Sequence, residues 1–305
     1  QDHEKTQCIV VGTYGPHHTF VAPPELYTYY KERVGIPESY AKEEEHPVLS
    51  KMREAHKLTE EHVLKLRAAY LGMIETVDGQ LGEVRAAWNR YLERSGRAGV
   101  FVYMSDHGEQ AGEHGQIGKS TFYEGSAKIP MIVAGTGVSA GRTITQPVSI
   151  MDLGPTLCAY AEAETPPKQD GVSLKPLLEG GAEEPERIIV SEYMAALEGK
   201  PIAGRMLRQG SWKYVAYASL EQHNQLFNIS EDPQELHNRI QDRNDIAAHF
   251  QAILDRDWHV QAILEKHLDK EAHHRLLAKW GMVSGVPEPE RWPVPVEATV
   301  LPVVE

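Results

Sequence analysis

The chain has 305 residues, enough for a sizeable core in one large domain or two smaller ones, and its composition is that of an ordinary globular protein. Forty-four Asp and Glu against 31 Lys and Arg leave a formal net charge of −13, which argues against a nucleic-acid backbone or an anionic membrane as the main partner. No run approaches the roughly 18 apolar residues of a membrane span, and Cys8 and Cys158, each in an apolar context, are too few for a disulfide framework and read as buried thiols.

Taken in order, Cys8-Ile-Val-Val-Gly12 reads as a strand that enters after a short polar lead. It delivers Gly15-Pro16-His17-His18-Thr19-Phe20, and an aromatic helical stretch follows from Glu25 to Val34. A histidine pair in a polar loop ordinarily satisfies backbone groups, but a position at a strand end raises its functional weight. Residues 36 to 58 are charged, contain Pro and show little periodicity, so they read as a surface excursion. Thr59 is an N-cap with Glu60 and Glu61 in the first turn. After it, Val63, Leu66, Tyr70, Ile74, Val77, Leu81, Val84, Trp88 and Tyr91 recur at steps of three and four, which predicts a long amphipathic helix. Gly72, Gly79 and Gly82 within it suggest close packing on a neighbour or a kink.

The apolar run Gly99 to Met104 predicts a buried strand whose end carries Ser105-Asp106-His107-Gly108-Glu109, then Gly112-Glu113-His114-Gly115 and Lys119. An Asp-His pair at the C-terminal end of a strand in an α/β sheet can hold a divalent cation, and a lysine thirteen residues past the Asp can return to meet an anion where glycines let the loop fold back. These residue types predict a metal-assisted site for an oxyanion ester. Ile129 to Ala134 is a second strand, joined to the first in an expected βαβ unit, and Ser149 to Ala163 is a helix for which Asp152 reads as a cap. From Thr165 the texture changes, through Pro166-Pro167 and Gly180-Gly181, to short alternating segments with tight turns that predict an antiparallel sheet. One helix is expected from Ile246 to about Trp280, with a Pro-studded tail from Val286 running over a surface or into a partner.

These segments, in this order, resemble a type I sulfatase of the alkaline phosphatase superfamily, from Cys8 to roughly Asn238. Gly15-Pro16-His17-His18-Thr19-Phe20 with Pro23 resembles the family's Pro-His-x-Pro-Phe-x-x-Pro segment, with Thr19 in place of the usual Pro. Tyr70, Ile74, Asp78 and Leu81-Gly82 resemble the helix before the metal strand, and Ser105 to Glu109 with Gly112 to Gly115 and Lys119 the central signature. Phe122-Tyr123-Glu124, Ile129-Pro130, Asp152 to Thr156, Asp170 to Leu174, and Leu226 to Ile229 with Asp232-Pro233, Glu235 and Asn238 complete the pattern.

The resemblance implies an α/β fold with a mixed, mostly parallel sheet flanked by helices. Residues 1–165 would be the C-terminal portion of the large catalytic domain, and 166–305 a smaller subdomain of antiparallel sheet plus helix with an extended tail. It implies hydrolysis of a sulfate ester with a divalent metal, most commonly Ca2+ with Mn2+ as the alternative, held by Asp106 and His107. Lys119 would contact a sulfate oxygen, His17 would act as hydrogen-bonding or general-acid group near the leaving oxygen, and His114 would lie beside the substrate. The nucleophile of the family is a formylglycine made within C/S-x-P-x-R, and neither that motif nor the family's early paired Asp residues occurs in this sequence. The expectation is that a segment outside the sequence, on the same or another chain, carries the nucleophile, two metal ligands and an anion-binding Arg. A degenerate, inactive binding module and a phosphodiester or phosphonate monoester hydrolase of the same superfamily are the alternatives. Trp258, Lys279-Trp280, the tail after Trp292 and Phe122 to Ala127 are similar to choline-sulfatase-like members, which raises small organic sulfates over polysaccharides. Long C-terminal segments in the family often assist oligomerisation, so a homo-oligomer is admitted; the compartment is left open.

Overall fold

The structure, a computed structural model, describes residues 5–285. The chain divides into two compact units, 1–256 and 257–305. The tail from Val286, including Trp292, lies outside the described residues.

In the first unit, α1 (Pro24–Lys31) starts with Pro in its first turn. The stretch expected to be a surface excursion instead contains a short 3-10 turn, Glu38–Ala41, and a helix, α2 (Pro47–His56). Its Val48 and Leu49 are almost completely buried, and Met52 packs beside them. Three apolar residues at i, i+1 and i+4 suffice to make one buried face, but a charged context hides them from a periodicity count. The long helix α3 (Glu60–Ser95) has a capping box at Thr59, which accepts from the His62 backbone at 3.2 Å while His62 Nδ1 lies 3.4 Å from the Thr59 N–H. Gly96, at φ +64°, terminates it in the left-handed region. Val63 and Val77 of the predicted stripe are buried, whereas Ile74 is 39% exposed. Gly72 is where α1 crosses: a Cβ there would stand 2.7 Å from that of Ala22 and 3.2 Å from that of Leu26. Gly79 and Gly82 face open space.

Strand β1 (Val100–Met104) pairs with β2 (Met131–Gly135) in antiparallel register, Val102 opposite Val133. The expected βαβ unit is therefore corrected. Residues 105–130 contain only the four-residue helix α4 (Glu124–Ala127) and a 3-10 turn at Glu113–Gly115, so the chain doubles back through a wide irregular loop rather than crossing over through a helix. Among the described residues every strand pairing is antiparallel. Cys8 to Gly12, predicted as a strand, joins no ladder among them, and Ile9, Val10 and Val11 are 61%, 88% and 59% exposed. Apolar side chains on both faces of one segment call for cover on both sides, which the described residues do not give it. Cys8 is correspondingly exposed.

Helix α5 (Leu153–Tyr160) follows a 3-10 turn at Ile150–Asp152, and α6 (Lys175–Leu178) is a single turn. Asp152 has the capping role expected of it: its Oδ2 accepts from the Ser149 N–H at 2.8 Å, while Oδ1 takes the Val172 N–H and Arg187. The predicted antiparallel sheet is a four-stranded meander of β3 (Ile188–Leu197), β4 (Lys200–Gln209), β5 (Trp212–Tyr217) and β6 (Gln225–Asn228). Glu198 and Gly199, both at positive φ, close the first hairpin in two residues. The helix expected from Ile246 to Trp280 is two: α7 (Asn244–Asp257) and, in the second unit, α8 (Val260–Ser284). His259, at φ −84° and ψ 71°, breaks the helical path between them. Tyr214 of β5 stacks on Phe250 of α7 at 5.7 Å, and α8 buries no residue. Among the described residues no helix is long and apolar enough to cross a membrane.

Candidate active site

Two loops converge beside the C-terminal end of β1. The first holds Asp106, His107 and Lys119, and its shape is set by Glu109. One carboxylate oxygen, Oε1, accepts the Ala111 N–H at 3.0 Å and the Gly118 N–H at 2.6 Å, while the Gln110 N–H donates to the Gly118 carbonyl at 2.9 Å. A short carboxylate bond to the residue before Lys119 turns the chain back toward Asp106. Gly112, at φ +94°, permits the turn and lets α3 approach, since a Cβ there would lie 2.4 Å from Val63 Cγ1. Arg67 of α3 donates to the Ala111 carbonyl at 3.2 Å. Tyr70 stands nearby, its hydroxyl pushed up to about 12 by burial and then by the Glu109 charge.

The second loop brings His17. Gly15 packs near Val77, and Phe20 meets Tyr70 edge-on, with ring centres 6.0 Å apart. The helix α3 thus braces both loops. His17 Nδ1 lies 2.8 Å from the His18 carbonyl and 3.2 Å from the Tyr14 hydroxyl, and its ring stacks obliquely on His18 at 4.0 Å.

The resulting cluster joins Asp106, His107, Lys119 and His17. Lys119 Nζ lies 2.8 Å from His107 Nε2 and 3.4 Å from His17 Nε2, and His107 Nε2 lies 3.5 Å from Asp106 Oδ2. His107 Nδ1 is 2.9 Å from the Gly108 carbonyl. A carbonyl accepts only, so in both rings Nδ1 donates, and Nε2 of His107, 2.8 Å from the Lys119 ammonium, presents a lone pair. Asp106 Oδ1 accepts from the His107 N–H at 3.0 Å, which leaves Oδ2 on an 81% exposed side chain. One carboxylate oxygen and one imidazole lone pair are therefore side by side, a donor set that fits two positions of a divalent cation's shell. Among the described residues no group of three or more His, Cys, Asp or Glu completes such a shell.

His114 is not part of this cluster. It is 2% exposed, its ring lies flat on Tyr123 at 3.6 Å with the planes 4° apart, and burial pushes its pKa down to about 3. The backbone at His114 is left-handed, φ 51°, and its N–H donates to Ser39 Oγ at 3.3 Å. Tyr14 is a member the sequence reading missed; an aromatic residue one position before the Gly15-Pro16 turn was its only signal.

The chain belongs to the sulfatase family. The family model "Sulfatase" matches residues 1–163, and that described as N-sulphoglucosamine sulphohydrolase, C-terminal, matches 112–258. Choline-sulfatase from Rhizobium meliloti (strain 1021) is 35% identical over 244 residues, 76% of this chain and 46% of that protein. A putative sulfatase from Bacteroides thetaiotaomicron superposes with a TM-score of 0.62 at 27% identity, over 77% of this chain and 53% of that one. The phosphonate monoester hydrolase of Agrobacterium radiobacter does so with a TM-score of 0.54 at 29% identity, over 72% and 43%. The chain thus spans about half the length of the relatives it matches.

Proposed function

We propose that this chain supplies the metal-binding and oxyanion-binding part of a sulfate-ester hydrolase. The observation that carries the reading is the meeting of Asp106, His107 and Lys119 with His17, about a hundred residues away in sequence. Asp106 Oδ2 and His107 Nε2 would hold the cation, calcium with manganese as the alternative. When bound, the cation supplies Lewis acidity to a non-bridging ester oxygen. Lys119 places its ammonium where negative charge gathers on the other oxygens as the S–O bond breaks. His17, held by the His18 carbonyl through Nδ1, directs Nε2 toward the same space, and a proton carried there passes to the departing alkoxide. The nucleophile is a formylglycine in a segment outside this sequence, because C/S-x-P-x-R occurs nowhere in it. That segment, on the same or another chain, completes the metal shell. Residues 1–165 form part of the catalytic domain and 166–305 the smaller subdomain. The similarity to choline-sulfatase favours a small organic or aryl sulfate over a polysaccharide.

The likeness to a phosphonate monoester hydrolase supports a second reading, hydrolysis of a phosphodiester or phosphonate monoester. The deciding measurement is kcat/KM of the full-length protein on an aryl sulfate and on an aryl phosphonate monoester, before and after chelation. The proposal expects the sulfate to be preferred and its turnover to need metal; preference for the phosphonate establishes the second reading, and equal turnover after exhaustive chelation removes both.

A further inference from the structure

The segment that follows Lys119 is tied to the C-terminal sheet by a buried charge cluster. After Ser120, at φ +75°, Thr121 Oγ1 accepts from Gln110 at 2.7 Å, and the chain enters α4. There Lys213 of β5, fully buried, donates to the Phe122 carbonyl at 2.8 Å and to Glu235 Oε1 at 2.9 Å, and lies 2.5 Å from Glu124 Oε1. Glu235, 1% exposed, accepts the Glu124 N–H at 2.6 Å through its other oxygen. From outside the cluster, Lys42 donates to the Glu235 carbonyl at 2.9 Å. The Phe122 ring packs on Tyr217 at 5.8 Å and sits close to Gly204.

All three N–H bonds of the Lys213 ammonium are thus engaged, one with backbone and two with carboxylates. Taking charges out of water is expensive, and a hydrophobic replacement of similar volume is often as stable, so a buried ion pair is weak grounds for a stabilising role. What such a cluster does well is fix geometry: it aims at backbone atoms of residues 122 and 124, three and five positions beyond Lys119. The opposite side of the same loop is held by Glu109 at Gly118. Lys119 and Ser120 therefore span a gap between two anchors, and the lysine stem enters the cluster from that span.

We propose that Lys213 and Glu235 are positioning residues for Lys119, acting from the C-terminal sheet through the backbone of 122–124. This rests on the reading that Lys119 meets the ester oxygens. A side-chain displacement of about 1 Å at a reacting centre costs up to about 100-fold in rate, so a loss of about tenfold or more in kcat is expected when the anchor is cut.

The test is a double-mutant cycle in the full-length enzyme. Lys119→Ala, Lys213→Met and the double variant are compared for kcat and KM on an aryl sulfate, with thermal midpoints recorded for each. Glu235→Gln serves as a second cut. Its amide keeps the volume but must turn an NH2 toward either the Lys213 ammonium or the Glu124 N–H, both donors, so one bond is lost even if Lys213→Met does not fold. The expected result is a kcat loss in Lys213→Met or Glu235→Gln with a cooperative melt, and a double variant no slower than Lys119→Ala, because both changes remove one interaction. A folded anchor variant with kcat within about twofold of the parent, or losses that multiply in full in the double variant, overturns the proposal. If Lys119→Ala itself costs nothing, the reading of Lys119 has failed and the proposal falls with it, a result distinct from the other two.

Discussion

The imidazoles of this chain are used in two opposite ways. His17 and His107 are pinned through Nδ1 to neighbouring carbonyls, which leaves Nε2 of each free to meet Lys119 or a ligand. His46 and His114 are buried uncharged, with pKa values pushed down to about 4 and about 3, mainly by desolvation. Neither ring nitrogen of His46 has a hydrogen-bond partner, and the ring lies on Tyr217 at 4.4 Å. For a base whose folded pKa is depressed, the unfolded chain binds the proton first. Their stabilisation is therefore complete above about 6.5 and is lost as pH falls from there toward 4 for His46 and 3 for His114. Unfolding free energies from urea titrations at pH 7 and pH 5 are expected to differ by on the order of 1–2 kcal/mol per ring. His46→Phe should flatten that dependence and hold or raise stability at pH 7, since it removes two unpaired polar atoms; an unchanged pH slope would assign the acid sensitivity elsewhere. At Glu109 the expected contrast is between Ala and Gln. Gln keeps an oxygen for the Gly118 and Ala111 N–H groups and should retain most turnover in the full-length enzyme, whereas Ala should lower kcat by about tenfold or more through misplacement of Lys119.

At the scale of elements, α3 is the brace. It meets α1 at Gly72, the loop carrying Lys119 at Val63 and Arg67, and the loop carrying His17 at Tyr70 and Val77. Thr59→Ala removes one side of its capping box and is expected to cost about 1 kcal/mol, measured as a shift in denaturant midpoint, with kcat unchanged. Gly72→Val drives a side chain into Ala22 and Leu26, so it should cost about 1–3 kcal/mol and, by shifting α1, move the loop that carries His17. A variant with parental stability would show that α1 can yield without cost. The 105–130 loop reaches its shape through many such contacts rather than through a regular element, and this is why it could be recognised by its residues but not drawn from them.

For the molecule as a whole, the loops that bring Asp106, His107, Lys119 and His17 together carry no nucleophile motif, and Ile9, Val10, Val11 and Ile132 are exposed among the described residues. Purified residues 1–305 are expected to give no turnover of an aryl sulfate above a Lys119→Ala control, because formylglycine has no Cys or Ser in the required context here. Robust metal-dependent turnover by these residues alone would refute the assignment of the nucleophile to a segment outside the sequence.

The sequence by itself determined the pieces whose physics is local. The three-and-four stripe after Thr59 and the short alternating segments after Thr165 each repeat within a few residues, and the Asp-His-Gly and Glu-His-Gly signatures lie within one loop. It also named Asp106, His107, Lys119 and His17, because their order along the chain resembles a known family. Tertiary structure decided what depends on distant partners. It turned β2 antiparallel to β1, buried α2 through three apolar residues in a charged stretch, and divided the last helix at His259. It also laid the His114 ring flat on Tyr123, since a ring of that size is placed by what it stacks on. Lys213 illustrates the limit most clearly: a lysine within an apolar strand reads as a solvent-facing residue, and only the fold brings Phe122, Glu124 and Glu235 around its ammonium.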